Sequence, residues 1–150
     1  MKISVKRLRE NARMPHRGSE QAAGYDLYAC IDAPVTIAPH TTAMIGTGLA
    51  IAVPEGYFGA VAARSGLASK QGLRPANCVG ICDSDYRGEY TVAMHNDSDI
   101  ERTVYPDDRI AQLLILPYLS AEFDEVAELD ETERGTGGFG STGLRQCSPL

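Results

Sequence analysis

The stretch Gly80-Ile81-Cys82-Asp83-Ser84-Asp85-Tyr86-Arg87-Gly88-Glu89 places two carboxylates and an aromatic ring within four residues, near the middle of the chain. Val79 and Ile81 supply apolar residues before the acids, and Tyr90, Val92 and Met94 then alternate with Thr91, Ala93 and His95. Alternation of period two predicts a strand. Asp, Ser and Gly between two strand-like runs predict a hairpin, with backbone pairing on both sides of the bend. On such a bend Asp83 and Tyr86 present an acid beside a flat ring, a floor suited to a small polar ligand. Asp and Gly are also ordinary turn residues. From these residues alone, an acidic surface turn stands beside the ligand floor.

A second set of residues suits an anion. Arg64-Ser65-Gly66 puts a guanidinium, a hydroxyl and backbone N–H groups at the start of a short helix, where oriented donors and the helix dipole favour phosphate. The same three residues also make an ordinary helix cap with a surface arginine. Gln112 is a polar residue in an apolar run and must find hydrogen-bond partners if buried; a ligand or a structural bond would each serve. Arg134 heads the segment Arg134-Gly135-Thr136-Gly137-Gly138-Phe139-Gly140-Ser141-Thr142-Gly143, with five glycines in ten residues. By composition this segment is disordered when free, and it suits a lid that closes over an anion.

Several familiar motifs are missing. No G-x-x-x-x-G-K-[ST] phosphate loop, H-E-x-x-H or G-x-S-x-G occurs, and His16, His40 and His95 form no spaced cluster. The zinc-deaminase pattern of H-x-E with P-C-x-x-C is absent too. Residues 138–143 match G-x-G-x-x-G, but only seven residues follow, too few for a βαβ unit. Cys30, Cys78, Cys82 and Cys147 contain no C-x-x-C pair, and the reading is reduced thiols in a cytoplasmic, soluble protein. The formal charge of −6 argues against a nucleic-acid polymer as partner. A single nucleotide needs only a few well-placed cations, and eleven of the fourteen basic residues are Arg, the better fork for phosphate oxygens. No apolar run approaches a membrane span.

The elements that must position these groups read as short strands. Residues 2–8 suit a first strand and 10–23 a loop. The alternation of Tyr25, Leu27 and Ala29 follows the loop. Strands are expected at 35–37, at 43–53 as one run, and at 57–62. Residues 63–71 suit the one convincing helix, with Ser65 as cap and Gly72 as stop. A turn is expected at 96–99, and strands at 100–105 and 109–117. Seven acids within 120–134 predict an edge strand in the first half and a solvated remainder. Many short strands with close punctuation predict an all-β barrel or sandwich, in a single domain of 150 residues.

Taken together, five segments in fixed order resemble the trimeric dUTP pyrophosphatase (dUTPase) family. They are residues 22–29 (AAGYDLYA), 63–68 (ARSGLA), 80–89 (GICDSDYRGE), 108–115 (DRIAQLLI) and 134–143 (RGTGGFGSTG). Two departures stand out. Cys82 occupies a position that is usually aliphatic, and Asp107 one where Gly is common.

The resemblance implies hydrolysis of dUTP to dUMP and pyrophosphate, which limits uracil incorporation into DNA and supplies dUMP for thymidylate synthesis. Asp83 is implied as the general base, activating a water for in-line attack on the α-phosphorus. Tyr86 is implied as the ring that leaves no room for a ribose 2′-hydroxyl. Asn77, Gly80, Ile81, Cys82, Asp83 and Thr91 are implied to surround uracil. Arg64, Ser65, Gly66 and Gln112 are implied to hold phosphates. Arg134, Phe139, Gly140, Ser141 and Thr142 are implied to form the closing arm. Asp26 is implied to meet Mg²⁺ through water. The implied fold is a distorted jelly-roll β-barrel in a homotrimer. Its sites are shared between subunits, and residues 134–150 form a flexible arm exchanged between them. A dCTP deaminase or bifunctional relative on the same scaffold is the nearest rival. A scaffold kept only for binding is the rival of another class.

Overall fold

The computed structural model describes residues 1–139, and among these it holds eleven strands and one short helix. The chain divides into two units, Met1–Ser120 and Ala121–Leu150, and all the regular elements lie in the first. They run β1 (Ser4–Arg7), β2 (Tyr25–Tyr28), β3 (Val35–Ile37), β4 (Thr42–Gly46), β5 (Leu49–Ala52), β6 (Tyr57–Ala62), α1 (Ser65–Gln71), β7 (Leu73–Pro75), β8 (Val79–Cys82), β9 (Thr91–Asn96), β10 (Arg102–Val104) and β11 (Arg109–Pro117). All pairings among them are antiparallel. The orders are β1-β5, β10-β3, β2-β11-β6-β8 and β4-β9-β7. This is the all-β, jelly-roll-like architecture expected from the sequence.

Alternation decides which face each strand buries. Tyr90, Val92 and Met94 are buried, while Thr91, Ala93 and His95 face outward to different degrees. Leu27, Ile37, Ile45, Leu49, Ile51, Leu73 and Ile110 complete the centre of the core. Each such side chain contributes about 1.5–3 kcal/mol on leaving water. Asn96, the one fully buried side-chain amide among the described residues, is fully bonded. It donates to the Ile37 and Ile100 carbonyls at 3.0 and 2.8 Å and accepts from the Ser98 N–H and hydroxyl at 2.9 and 2.7 Å. The expected turn after β9 is therefore tied to the core by a side chain.

Several local expectations change. The expected strand at 43–53 splits into β4 and β5, because Gly48 turns the chain with φ of +67°. Ser65 is the first helical residue rather than the cap. Arg64 holds the cap position without a side-chain bond, and Gly72 ends the helix in the left-handed conformation as expected. The short strand β7 was not foreseen. No strand forms among the described residues after Pro117, so the expected acidic edge strand is absent there.

The largest correction concerns the expected hairpin. β8 pairs with β6, while β9 pairs with β4 and β7. Residues 83–90 therefore bridge two sheets instead of turning back along one. Period-two alternation fixes the face of a strand but not its partner, and this connection is longer than the usual hairpin loop of two to five residues.

Candidate functional site

The bridging segment lines a cleft of about 470 Å³. Asn77, Gly80, Ile81, Cys82, Asp83, Tyr86 and Thr91, all singled out from the sequence, line it. The segment is anchored at both ends. The Tyr86 N–H donates to the Asp83 carbonyl at 3.2 Å, closing a turn that sets the acid beside the ring. The Tyr86 hydroxyl donates to the Glu89 carbonyl at 3.0 Å, and the ring lies across Gly88, where an added Cβ would fall 2.4 Å from the Tyr86 oxygen. Glu89 Oε1 accepts the Gly48 N–H at 2.7 Å, and the Tyr90 N–H donates to the Leu49 carbonyl at 2.8 Å. The β4–β5 turn thus holds the whole segment from behind.

Within this cleft the Asp83 carboxylate is exposed and makes no hydrogen bond or ion pair among the described residues. Tyr86 is 44% exposed. Tyr90 and Glu89 also line the cleft. The alternation that sets Tyr90 on one side with Val92 and Met94 gives no sign that its ring also floors a cavity. Burial pushes the Cys82 thiol up from its ordinary range, with the neighbouring Tyr90 hydroxyl pulling the other way. Burial pushes the Tyr90 phenol up as well. Both groups are neutral at neutral pH.

A second cleft, of about 630 Å³, shares no lining residue with the first. Three separate segments of sequence build it, and strand register brings them together. Gln112 on β11 stands opposite Asp26 on β2 and Ala62 on β6, so Asp26, Gln112 and the start of α1 fall at one level of the sheet. Arg64, Ser65 and Gly66 line it beside them. Gln112 is partly buried and donates to the Ala63 carbonyl at 2.8 Å, which answers part of its need for partners.

Among the described residues Asp26 is the only carboxylate lining this cleft, against Arg64, Lys70 and Arg109. Arg64 Nε donates to Asp26 Oδ1 at 2.8 Å and Arg109 to Oδ2 at 3.3 Å. Three cations facing one acid leave a cationic cleft on an acidic chain. Arg109 escaped the sequence reading for a physical reason. It stands three residues before Gln112, which puts the two on opposite faces of a regular strand. A register shift between Arg109 and Ala111 opposes Arg109 to Tyr28 and restores it to the face of Asp26.

Two of the expected arm residues are described, both in the second unit. Arg134 donates to the Gly137 carbonyl at 2.8 Å, and the Phe139 side chain is fully exposed. Gly140, Ser141 and Thr142 lie outside the described residues.

A family model for dUTPase matches residues 10–143. The chain belongs to the dUTPase family. It is 48% identical over 142 residues to a deoxyuridine 5′-triphosphate nucleotidohydrolase of Syntrophotalea carbinolica, covering 95% of this chain and 97% of that one. It is also 48% identical over 142 residues to the enzyme of the same name from Oryza sativa, covering 95% and 81%. Among solved structures, a Staphylococcus bacteriophage 80alpha dUTPase variant with dUpNHpp superposes with a TM-score of 0.87 at 32% identity, covering 95% of this chain and 99% of that one. A variant of the dUTPase from phage phi11 of S. aureus superposes with a TM-score of 0.78 at 29% identity, covering 87% and 100%, and its description reports coordination of a structural Mg(II) ion. Asp107 fits the dUTPase resemblance in an unexpected way. It adopts φ of +67°, the left-handed region that Gly enters freely and Asp tolerates.

Proposed function

We infer that this chain hydrolyses dUTP to dUMP and pyrophosphate, with the base and sugar in the Asp83–Tyr86 cleft and the triphosphate in the Arg64–Gln112 cleft. The observation that carries this reading is the division of labour between the clefts. One offers peptide groups, an amide, a ring and an unpaired carboxylate. The other offers cations, a hydroxyl and a helix start. A nucleoside triphosphate has one half suited to each.

In the first cleft the uracil edge meets the peptide groups of Gly80, Ile81 and Cys82, with Asn77 and Thr91 beside them. Asn77 Nδ2 lies 3.4 Å from where a Cβ at Gly80 would sit, so amide and strand face one ligand. The Tyr86 ring stands against the deoxyribose and leaves no room at C2′. Asp83 holds a water and takes its proton as the oxygen attacks the α-phosphorus. The bond from that phosphorus to its bridging oxygen breaks, and pyrophosphate leaves in line. Arg64, Ser65, Gly66 and Gln112 hold the phosphates, with Arg109 beside them. Arg134, Phe139, Gly140, Ser141 and Thr142 form the closing arm, with Arg134 on the γ-phosphate and Phe139 over the base.

The donor set fits Mg²⁺ held through the substrate. Among the described residues no cluster of three or more His, Cys, Asp or Glu side chains stands ready for a metal, and Asp26 is the single acid of the phosphate cleft. Such a cleft suits an ion that keeps its waters and binds mainly phosphate oxygens, with Asp26 accepting from the water shell. When bound, Mg²⁺ spreads the charge of the triphosphate.

A homotrimer accounts for the two clefts, because a site shared between copies joins the base cleft of one to the phosphate cleft of another. The setting proposed is the cytoplasm, where cysteines stay as thiols. No helix among the described residues is long and apolar enough to cross a membrane. Pyrophosphate release from dUTP, UTP, dTTP and dCTP, measured side by side with Mg²⁺ and with ammonia followed in the dCTP arm, tests the reading. Fast release from dUTP alone supports it. Ammonia from dCTP points to a deaminase, and no turnover at all points to a binding scaffold.

A further inference from the structure

Tyr90 occupies an unusual place in the base cleft. It is 2% exposed, its N–H donates to the Leu49 carbonyl at 2.8 Å, and its own carbonyl accepts from the Thr47 hydroxyl at 2.6 Å and the Thr47 N–H at 3.2 Å. Its backbone is therefore clamped to the β4–β5 turn. The ring runs inward beneath the cleft, and its tip is seated in a narrow slot. A Cβ added at Gly59 would lie 3.0 Å from the Tyr90 oxygen, 3.1 Å from Leu113 Cδ1 and 3.3 Å from Cys82 Cβ. That oxygen is the one buried side-chain polar atom without a hydrogen-bond partner among the described residues. Among those residues only the Cys82 thiol, a weak hydrogen-bonding group, stands beside it, and so poorly bonded a buried hydroxyl is costly. The ring itself is what the site uses.

The outer face of that ring meets Tyr86, with centroids 6.0 Å apart and planes tilted by 40°. Tyr86 is tethered at its hydroxyl and lies across Gly88. The Tyr90 ring is the fixed aromatic surface that it leans on.

We propose that Tyr90 is the positioning residue for Tyr86, and that the buried ring sets how strictly the enzyme rejects a ribose 2′-hydroxyl. This rests on the reading of Tyr86 as the ring against the sugar. A half-exposed aromatic side chain has room to tilt, and a shift of a few tenths of an ångström at its edge admits one oxygen. A clamped core ring behind it removes that freedom. Cys82 belongs to the same device: a small thiol stands where the family usually has an aliphatic side chain and leaves space for the Tyr90 tip.

The test is the ratio of kcat/KM for dUTP to that for UTP. Tyr90→Phe keeps the ring and leaves the ratio within about twofold of wild type. Tyr90→Leu removes the ring and lowers the ratio by roughly tenfold or more, with kcat/KM for UTP rising relative to that for dUTP. Gly59→Ala presses on the ring tip from below and also lowers the ratio. Adding Tyr90→Phe to it removes the crowded oxygen and restores the ratio. This pair carries the test even if Tyr90→Leu fails to fold. An unchanged ratio in Tyr90→Leu, or no recovery in the double variant, overturns the proposal. Tyr86→Ala is the control. If it lowers the ratio and Tyr90→Leu does not, only this inference falls. If Tyr86→Ala leaves the ratio unchanged, the sugar reading falls and takes this inference with it.

Discussion

Arg64 Nε lies 2.8 Å from Asp26 Oδ1, and the Arg64 side chain is only 27% exposed and that of Asp26 13%. The pair joins the residue just before α1 to the middle of β2, across β11. It holds the guanidinium plane at the cationic cleft that Arg64 lines. Replacement by lysine keeps the charge but loses the planar fork and its orientation. Arg64→Lys is expected to lower kcat/KM for dUTP by roughly ten- to a hundredfold with little change in melting temperature. Steady-state kinetics checks this, and an unchanged kcat/KM would show that the fork is not used.

Asn96 tests the fold independently of the chemistry. Its amide satisfies two carbonyls, and its oxygen satisfies an N–H and a hydroxyl of Ser98. Asn96→Ala strands these groups in a buried place and is expected to cost about 2–4 kcal/mol. Denaturant unfolding reads it as a lower midpoint with the same slope.

Much of the fold was legible because its elements have one simple period. β3, β6 and β11 fall at the expected bounds, and the alternating run after Glu89 forms the strand β9 with one of its two sides buried. What was not legible is relational. Nothing in the alternation of β8 or β9 names a ladder partner, so the same pattern fits a hairpin and a bridge between sheets alike. Three-residue β7 ends in Pro75 and is too short to show a period. The bulge that turns Arg109 toward Asp26 leaves no mark in residue type. The base cleft was legible because its residues are nearly contiguous. The cationic cleft was legible only as separate pieces, which the register of β2, β11 and β6 brings to one level.

The Asp97–Arg74 pair predicts a pH effect on stability. The hydrogen bond from Arg74 holds the Asp97 carboxyl below its ordinary range, and the charges of Arg74 and His95 add to this. A group depressed in the folded state stabilises the fold at pH values above its unfolded pKa, with a reference value of 3.8. That contribution is lost as pH falls through the lower folded value. The melting temperature of Asp97→Asn is therefore expected to lie slightly below wild type at pH 7 and to converge with it under strong acid. A gap that is constant with pH would contradict the charge-based origin.

The separation of the two clefts within one chain predicts complementation. In the proposed homotrimer, where each site joins the clefts of two copies, Asp83→Asn disables one cleft and Arg64→Ala the other, so each variant alone is expected to be nearly inactive. Unfolding and refolding the two variants together would assemble mixed trimers in which some sites take both intact clefts. Recovered pyrophosphate release, rising with the degree of mixing, is the expected result. No recovery from well-mixed trimers would place both clefts of each site on a single chain.

The most direct test of the account is Asp83→Asn, measured for turnover and for binding in parallel. The substitution keeps shape and hydrogen-bonding capacity but removes the ability to take a proton from water. A loss of roughly 10²–10⁴-fold in pyrophosphate release, with dUTP binding close to wild type by calorimetry, is the predicted result. Turnover retained in the variant would contradict Asp83 as the base, and with it the mechanism assigned to the cleft.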